Sequence, residues 1–451
     1  MKKRFAVGVP MSVGAVVLAV ACSPDGPTVP QSESSQVIER GIALDLILPG
    51  QTIPFAPLAS SATCSAGGKG QQVVLPQGYV YTTVANEGPG FLDLADMNTL
   101  NENGPQKGRY LYRTHETGSG AGVSETDLVT GTTRLVASRS DWERFDGIVW
   151  TPWGTILAAE EVSDFSANGA DPNVPQATAG LVYEIDPRTG ASVARPAVGA
   201  RAHEGLRFDK FGNLYGISET NPGYIYKFVP DKKGDLSSGQ LYALKLTQDV
   251  GGRTGSGVWV ALDRNAVQVN SVAEATAKGA TGYNRPEDLE IGTSTGDDKR
   301  GNSILYAAIT SEDRVIAIDL APAGKGDAEL VVTDYVREGV NAPTNFDMPD
   351  NLALDRSGNL YITEDPGGSA PSKTQGDDIW FAPFNPQTAS QALPIQRFAS
   401  ITDCNAEPTG VYVSPTSKTL FFNIQHRGGD GADLSVAVQR FEDVSFNVAK
   451  K

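Results

Sequence analysis

The sequence predicts an all-β chain wound into a six-bladed β-propeller. Three observations carry that prediction. A short apolar strand motif recurs six times: Tyr110–Glu116 (YLYRTHE), Thr155–Glu161 (TILAAEE), Asn213–Glu219 (NLYGISE), Ile304–Asp313 (ILYAAITSED), Asn359–Asp365 (NLYITED) and Thr419–His426 (TLFFNIQH). Copies of a strand unit at spacings of this order are the mark of a repeat fold, and six is a propeller count. Most copies form the second arm of a tight hairpin, clearest in Met348–Asp365, where Arg356-Ser357-Gly358 makes the turn. Finally, no segment has the helical crossovers that a parallel α/β sheet requires.

Taken in order, the chain opens on a targeting segment. Lys2-Lys3-Arg4 is a basic head, Phe5 to Val20 is mostly apolar, and Cys22 follows small residues. Leu18-Ala19-Val20-Ala21-Cys22 resembles a bacterial lipobox, which implies cleavage and lipidation at Cys22. Residues 1–22 are therefore expected to be a lipoprotein-type signal, and 23–70, rich in Pro, Ser, Gly and Ala, a flexible tether. The propeller domain is expected over 71–451, with Gln72–Val84 adding a closing strand to the last blade. Second hairpins, among them Gly122–Val136, Leu181–Pro196 and Tyr224–Leu244, supply the outer strands. Two insertions, Gly251–Gly282 and Ser294–Asn302, read as long loops around the fourth repeat.

In an antiparallel hairpin the start of the first strand and the end of the second lie side by side. Acids occupy both places in most repeats. Asp146 faces Glu160-Glu161, Glu204 faces Glu219, and Glu287-Asp288 faces Glu312-Asp313. Asp350 faces Glu364-Asp365, and Glu407 faces Gln425-His426. In the first repeat Glu116 ends the second strand, and either Glu87 or Asp93 opens the first. First strands of a propeller line the central channel, so these acids converge on one mouth. The three histidines, His115, His203 and His426, are expected on the same rim. Carboxylates so gathered repel unless cations sit among them, and oxygen donors suit Ca²⁺, while mixed carboxylate and imidazole sites also suit iron, manganese or zinc. One member of each second-strand doublet faces the mouth, because neighbours on a strand point to opposite faces. Asp209 and Asp355, at the other end, read as turn residues.

The net charge of −16 argues against nucleic-acid binding, which needs a basic face. A solvated acidic surface accounts for most of the 53 acidic residues whatever the function. Cys64 and Cys404 either pair in an oxidising compartment, tying the start of the domain to its last repeat, or stay as thiols.

At these residues the chain resembles the PhoX-type alkaline phosphatases. The matching stretches are Thr151–Glu161 (TPWGTILAAEE), His203–Phe208 (HEGLRF), Gly223–Val229 (GYIYKFV), Asn284–Glu290 (NRPEDLE), Pro349–Asp365 (PDNLALDRSGNLYITED) and Glu407–His426. The resemblance covers most of 85–430. It implies a secreted six-bladed propeller whose mouth holds an iron–calcium cluster that hydrolyses phosphomonoesters. Carried over residue by residue, the metal ligands are Glu204, Glu287 and Asp350, with Glu160 or Glu161, Glu364 or Asp365, and Glu116. The acidic rim adds Asp146 and Glu407. The family places an iron-binding cysteine shortly before TPWG, where this chain aligns Asp146, so the expected ions are several Ca²⁺, with Fe³⁺ disfavoured.

The expected reaction is metal-assisted hydrolysis of a small phosphorylated substrate, with Arg285, Glu287 and Asp350 as the catalytic group. Arg285 would clamp a phosphoryl oxygen; Arg113 and Arg144 are weaker candidates. Two alternatives remain open: a calcium-dependent lactonase or esterase using Asn351, and a non-catalytic binding lipoprotein stabilised by calcium. The protein is expected to be an exported monomer, anchored to a membrane through lipid at Cys22 or else secreted.

Overall fold

The computed structural model describes residues 54–65, 70–165, 169–291, 304–320, 329–366, 374–385, 387–388, 390–428 and 431–441. The signal segment, Cys22, most of the tether and the 294–302 insertion lie outside the described residues.

Six antiparallel units of four strands follow one another along the chain, and we number them as blades. The first strands are Ala95–Leu100, Phe145–Trp150, His203–Phe208, Pro286–Ile291, Pro349–Leu354 and Glu407–Val413. Each packs against the next, and the sixth returns to the first, so these strands close a ring around a channel. The second strands are Tyr110–His115, Ile156–Glu160, Leu214–Ser218, Ile304–Ile309, Leu360–Glu364 and Leu420–Gln425. Their near-continuous burial follows from apolar packing on both faces of each blade, as in the interface of Ile148, Ile156, Ala158 and Leu181.

Closure joins the two ends of the domain. Tyr79–Asn86 pairs with Leu434–Arg440 as the outer strand of blade six, while Val73–Val74 adds to the edge of blade five. The closing strand thus begins inside the stretch the sequence suggested and ends two residues beyond it. Part of the expected tether is also docked. Phe55 is buried with ring centroids 5.2–5.3 Å from Phe381 and Phe398. The Ala62 N–H donates to Ser400 Oγ at 2.7 Å, and Ser61 Oγ donates to Asp378 at 2.8 Å.

Cys64 and Cys404 are joined by a disulfide with Cα atoms 5.4 Å apart, linking positions 340 residues apart in sequence. A link over so long a loop chiefly restricts the unfolded chain. Replacing both cysteines by serine is expected to lower stability by about 2–5 kcal/mol, read from urea midpoints, and reductant should reproduce the loss in the parent protein.

The insertion after blade three is more ordered than the long loop expected from its sequence. Asp235–Gly251 and Thr254–Ala261 form a hairpin whose second strand also pairs with Glu329–Arg337, joining blades three and four edge to edge. A short helix over Val267–Ala277, interrupted at Asn270, then packs on residues 196–200 before blade three, with Val267 and Ala275 buried.

Candidate metal centre

One local device, repeated around the ring, gathers the acids. In five blades the first strand carries one extra residue just after its first paired position. Such a bulge re-aims a side chain, and the residue at that point is Asp96, Asp146, Glu204, Glu287 or Asp350. Two residues before four of them the backbone is left-handed, at Leu94 (φ 54°), Arg144 (41°), Arg285 (49°) and Met348 (43°). The residue after the acid must fit against the neighbouring blade. A Cβ on Gly147 would come within 2.1 Å of the Glu204 carbonyl oxygen, and one on Gly205 within 1.8 Å of Asp288 Oδ1.

The same lead-in residues decide which second-strand acid reaches the mouth. The carbonyl of Leu94 accepts the N–H of Glu116 (2.8 Å), that of Arg144 the N–H of Glu161 (2.8 Å), and that of Met348 the N–H of Asp365 (3.0 Å). Ala202 holds Glu219 likewise (3.2 Å), and in blade four Arg285 holds Thr310 (3.0 Å). Blade four therefore gives no second-strand acid to the mouth. With Glu407 from blade six, ten carboxylates line one opening of about 320 Å³, together with Arg144, Arg285, Gln425 and His426.

Several expected ligands lie elsewhere. Glu160 is still within its strand, paired opposite Phe145, and turns into the blade; it accepts the N–H groups of Glu143 (3.2 Å) and Leu181 (3.0 Å). Glu364 is its counterpart, accepting from Trp380 Nε1 (2.6 Å) and the N–H groups of Asp347 (3.0 Å) and Asp378 (3.2 Å). Glu312 and Asp313 are also off the rim. Asp313 accepts the Met348 N–H at 2.9 Å, and Glu312 pairs with Arg253 and Arg314. Asp288 is buried toward Arg207 and accepts the Leu352 N–H at 2.9 Å.

His115 and His203 are fully buried inside their blades, His115 against Ser124 Oγ at 2.8 Å and His203 against the Gly199 carbonyl at 2.9 Å. Burial holds both imidazoles well below their usual range, His115 down to about 3. His426 is the histidine at the rim, 3.2 Å from Glu407. Arg113 is buried with its guanidinium 4.8 Å from the Phe91 ring centroid, away from the mouth. Asn351 is occupied too: its Oδ1 accepts the Gly410 N–H and its Nδ2 donates to Asp350 at 2.9 Å.

Asp96, which opens the first repeat in place of Glu87 or Asp93, was not among the sequence candidates. A signal existed: Ala95-Asp96-Met97-Asn98 aligns with Phe145-Asp146-Gly147-Ile148. Glu219 belongs to the mouth as well, and one oxygen from each of Glu161, Glu204 and Glu219 lies within 4.8 Å of the others.

The protein supplies little charge to balance this ring. Arg285 lies 2.7 Å from both Glu219 and Glu287, and Arg144 lies 3.5 Å from Glu161. Burial, reinforced by neighbouring acids, pushes Asp96, Asp146, Glu204, Glu287, Asp350 and Glu407 well above the ordinary carboxylate range. Glu161 is pushed up to about 12 by burial and by Glu219. Asp96 Oδ1 and Asp146 Oδ1 are buried without a hydrogen-bond partner. Buried carboxylate oxygens lacking donors fit hard divalent cations.

Comparison with known proteins places this geometry. The profile described as Alkaline phosphatase PhoX matches residues 149–428. No curated protein matches the chain. Among solved structures, Pseudomonas fluorescens PhoX in complex with vanadate superposes with a TM-score of 0.62 at 18% identity, covering 86% of this chain and 98% of that one. A catalytically inactive virginiamycin B lyase from Staphylococcus aureus with quinupristin (TM-score 0.43, 12% identity, 80% and 99% covered) and a luciferin-regenerating enzyme (0.45, 12%, 80% and 95%) are more distant. The ringed strands, the acidic mouth and the family profile agree: the chain belongs to the alkaline phosphatase PhoX family and is a phosphatase.

Proposed function

We propose that the protein hydrolyses small phosphomonoesters at this mouth, with several Ca²⁺ held by its carboxylates. The observation that carries the reading is the convergence of ten carboxylates and two arginines, from all six blades, on one opening. Glu161, Glu204 and Glu219 would hold one cation, and Asp96, Asp146, Glu287, Asp350, Asp365, Glu407 and Glu116 are the donors for others. Bound cations supply neutralising charge to the phosphoryl oxygens and lower the pKa of the attacking water.

The chain's own residues orient the substrate. Arg285 has a third of its side chain exposed and is shared among Glu219, Glu287 and, at 4.0 Å, Asp365. Its guanidinium presents donors in a planar fork suited to phosphate oxygens, and Arg144, from blade two, lines the same mouth. That Pseudomonas fluorescens PhoX holds vanadate, a transition state analogue, supports a phosphoryl-transfer reading. The carboxylate-dominated mouth supports Ca²⁺ over a thiolate-bound metal, since Cys64 and Cys404 are consumed in the disulfide. That disulfide also supports an exported protein, in keeping with the leader and the lipobox-like sequence before Cys22. The lactonase alternative gains no support from Asn351, whose amide is engaged.

Metal analysis of the purified protein, with assays on an aryl phosphate and an aryl ester, tests the reading. Aryl phosphate turnover is expected to fall at least about a hundredfold on chelation and to return with Ca²⁺. Ester turnover alone, or phosphatase activity indifferent to chelator, would refute it.

A further inference from the structure

Arg253 sits at the tip of the inserted hairpin, with a left-handed backbone (φ 58°). Its carbonyl accepts the Tyr283 hydroxyl at 2.9 Å, and its guanidinium lies 5.6 Å from the centroid of the Tyr283 ring. The guanidinium also reaches Glu312 Oε1 at 2.5 Å, and Arg314 holds Oε2 at 2.5 Å. Glu312 Oε1 accepts one further donor, the backbone N–H of Asn284, at 2.7 Å. Asn284 directly precedes Arg285, whose left-handed backbone is pinned by its own N–H to the Thr220 carbonyl (3.2 Å) and by its carbonyl to the Thr310 N–H (3.0 Å).

We propose that Arg253 and Glu312 form a positioning device for Arg285, through which the inserted hairpin sets phosphate affinity at the mouth. This rests on the reading of Arg285 as a phosphate donor. A non-glycine residue stays left-handed only where its surroundings fix it. Here the surroundings are the hairpin tip on one side and blade three on the other. Without the Glu312 acceptor, the Asn284 N–H loses its partner and the corner is free to relax. The guanidinium would then leave its place between Glu219 and Glu287. Neither Arg253 nor Glu312 lines the mouth, and Arg285, next to Asn284, is the mouth residue through which they act.

The test uses the full protein loaded with Ca²⁺ and p-nitrophenyl phosphate as substrate. Glu312→Ala is expected to raise KM about tenfold while kcat stays within about threefold, with inhibition by inorganic phosphate weakened in parallel. Glu312→Gln keeps an acceptor for Asn284 and should recover part of the KM. Tyr283→Phe, which removes the hydroxyl that anchors the tip, should raise KM about twofold without threatening the fold. Metal content and thermal midpoints identify folded, loaded variants. If Arg285→Ala leaves KM and phosphate inhibition unchanged, the donor reading of Arg285 fails. If Arg285→Ala raises KM but folded, loaded Glu312→Ala and Tyr283→Phe do not, the positioning inference is overturned. In the Arg285→Ala background Glu312→Ala should add nothing to KM; an additive loss would also overturn it.

Discussion

Stripped of cations by a chelator, the protein is expected to lose stability steadily as pH rises from about 5 to about 9. The sign follows from the direction of the shifts. Asp96, Asp146, Glu204, Glu287, Asp350 and Glu407 titrate well above their usual range in the folded chain, and Glu161 near 12, with burial the leading cause in each. In the unfolded chain the same groups titrate near about 4. Between these limits the folded state holds more protons than the unfolded state, so unfolding becomes easier as pH increases. Each such group contributes a slope of up to about 1.4 kcal/mol per pH unit while folded and unfolded protonation differ. Several groups together make this the largest pH effect expected of the molecule. Ca²⁺ should flatten or reverse the trend, because cations stabilise the ionised mouth and their binding adds to folded-state stability. Thermal or urea midpoints across that range, with EDTA and with CaCl₂, check it. A chelated protein whose stability does not change with pH would contradict the crowded-carboxylate picture.

The repeat, its hairpins and the channel mouth were legible in the sequence because they depend on two-residue periodicity and turn chemistry, both of which are local. What was not legible turned on a shift of one residue. Glu160 and Glu364 close their strands in register with Phe145 and Pro349, and so face into the blade. Glu161 and Asp365 lie just beyond, where a lead-in carbonyl captures their N–H and turns the chain toward the channel. The same one-residue shift separates His115 and His203 from the rim, beside Glu116 and Glu204. The left-handed conformations at Leu94, Arg144, Arg285 and Met348 have no glycine to announce them, since tertiary contacts impose them. Asp96 is masked in the sequence because Asn98 breaks the apolar pattern of the other first strands; the Asn98 amide donates to the Gly410 carbonyl at 2.8 Å instead.

The neighbouring acids Glu160 and Glu161 should separate these roles by their effects on metal content and activity. Glu161→Gln is expected to lower kcat/KM at least about a hundredfold, because a neutral amide replaces a charged donor within the Glu161–Glu204–Glu219 set. It should also stabilise the chelated protein at pH 8 by about 1 kcal/mol or more, since glutamine avoids the proton uptake that folding imposes on Glu161 at that pH. Glu160→Gln should leave the mouth intact, because Glu160, itself pushed up to about 8 by burial, serves the blade. Its two carboxylate oxygens each accept a buried backbone N–H, from Glu143 and Leu181. An amide can accept only one of them, and its NH₂ must face the other donor. The lost hydrogen bond costs about 1–3 kcal/mol, offset by the proton that Glu160 no longer takes up on folding, and activity and metal content stay near those of the parent protein. Urea midpoints measured with chelator, alongside metal content and aryl phosphate kinetics, distinguish the two variants. Loss of metal in Glu160→Gln, or full activity in Glu161→Gln, would mean that the lead-in carbonyls do not select the ligand. If the two variants behave as expected, a backbone hydrogen bond from each lead-in residue, rather than the acid doublet itself, determines which carboxylate the mouth receives.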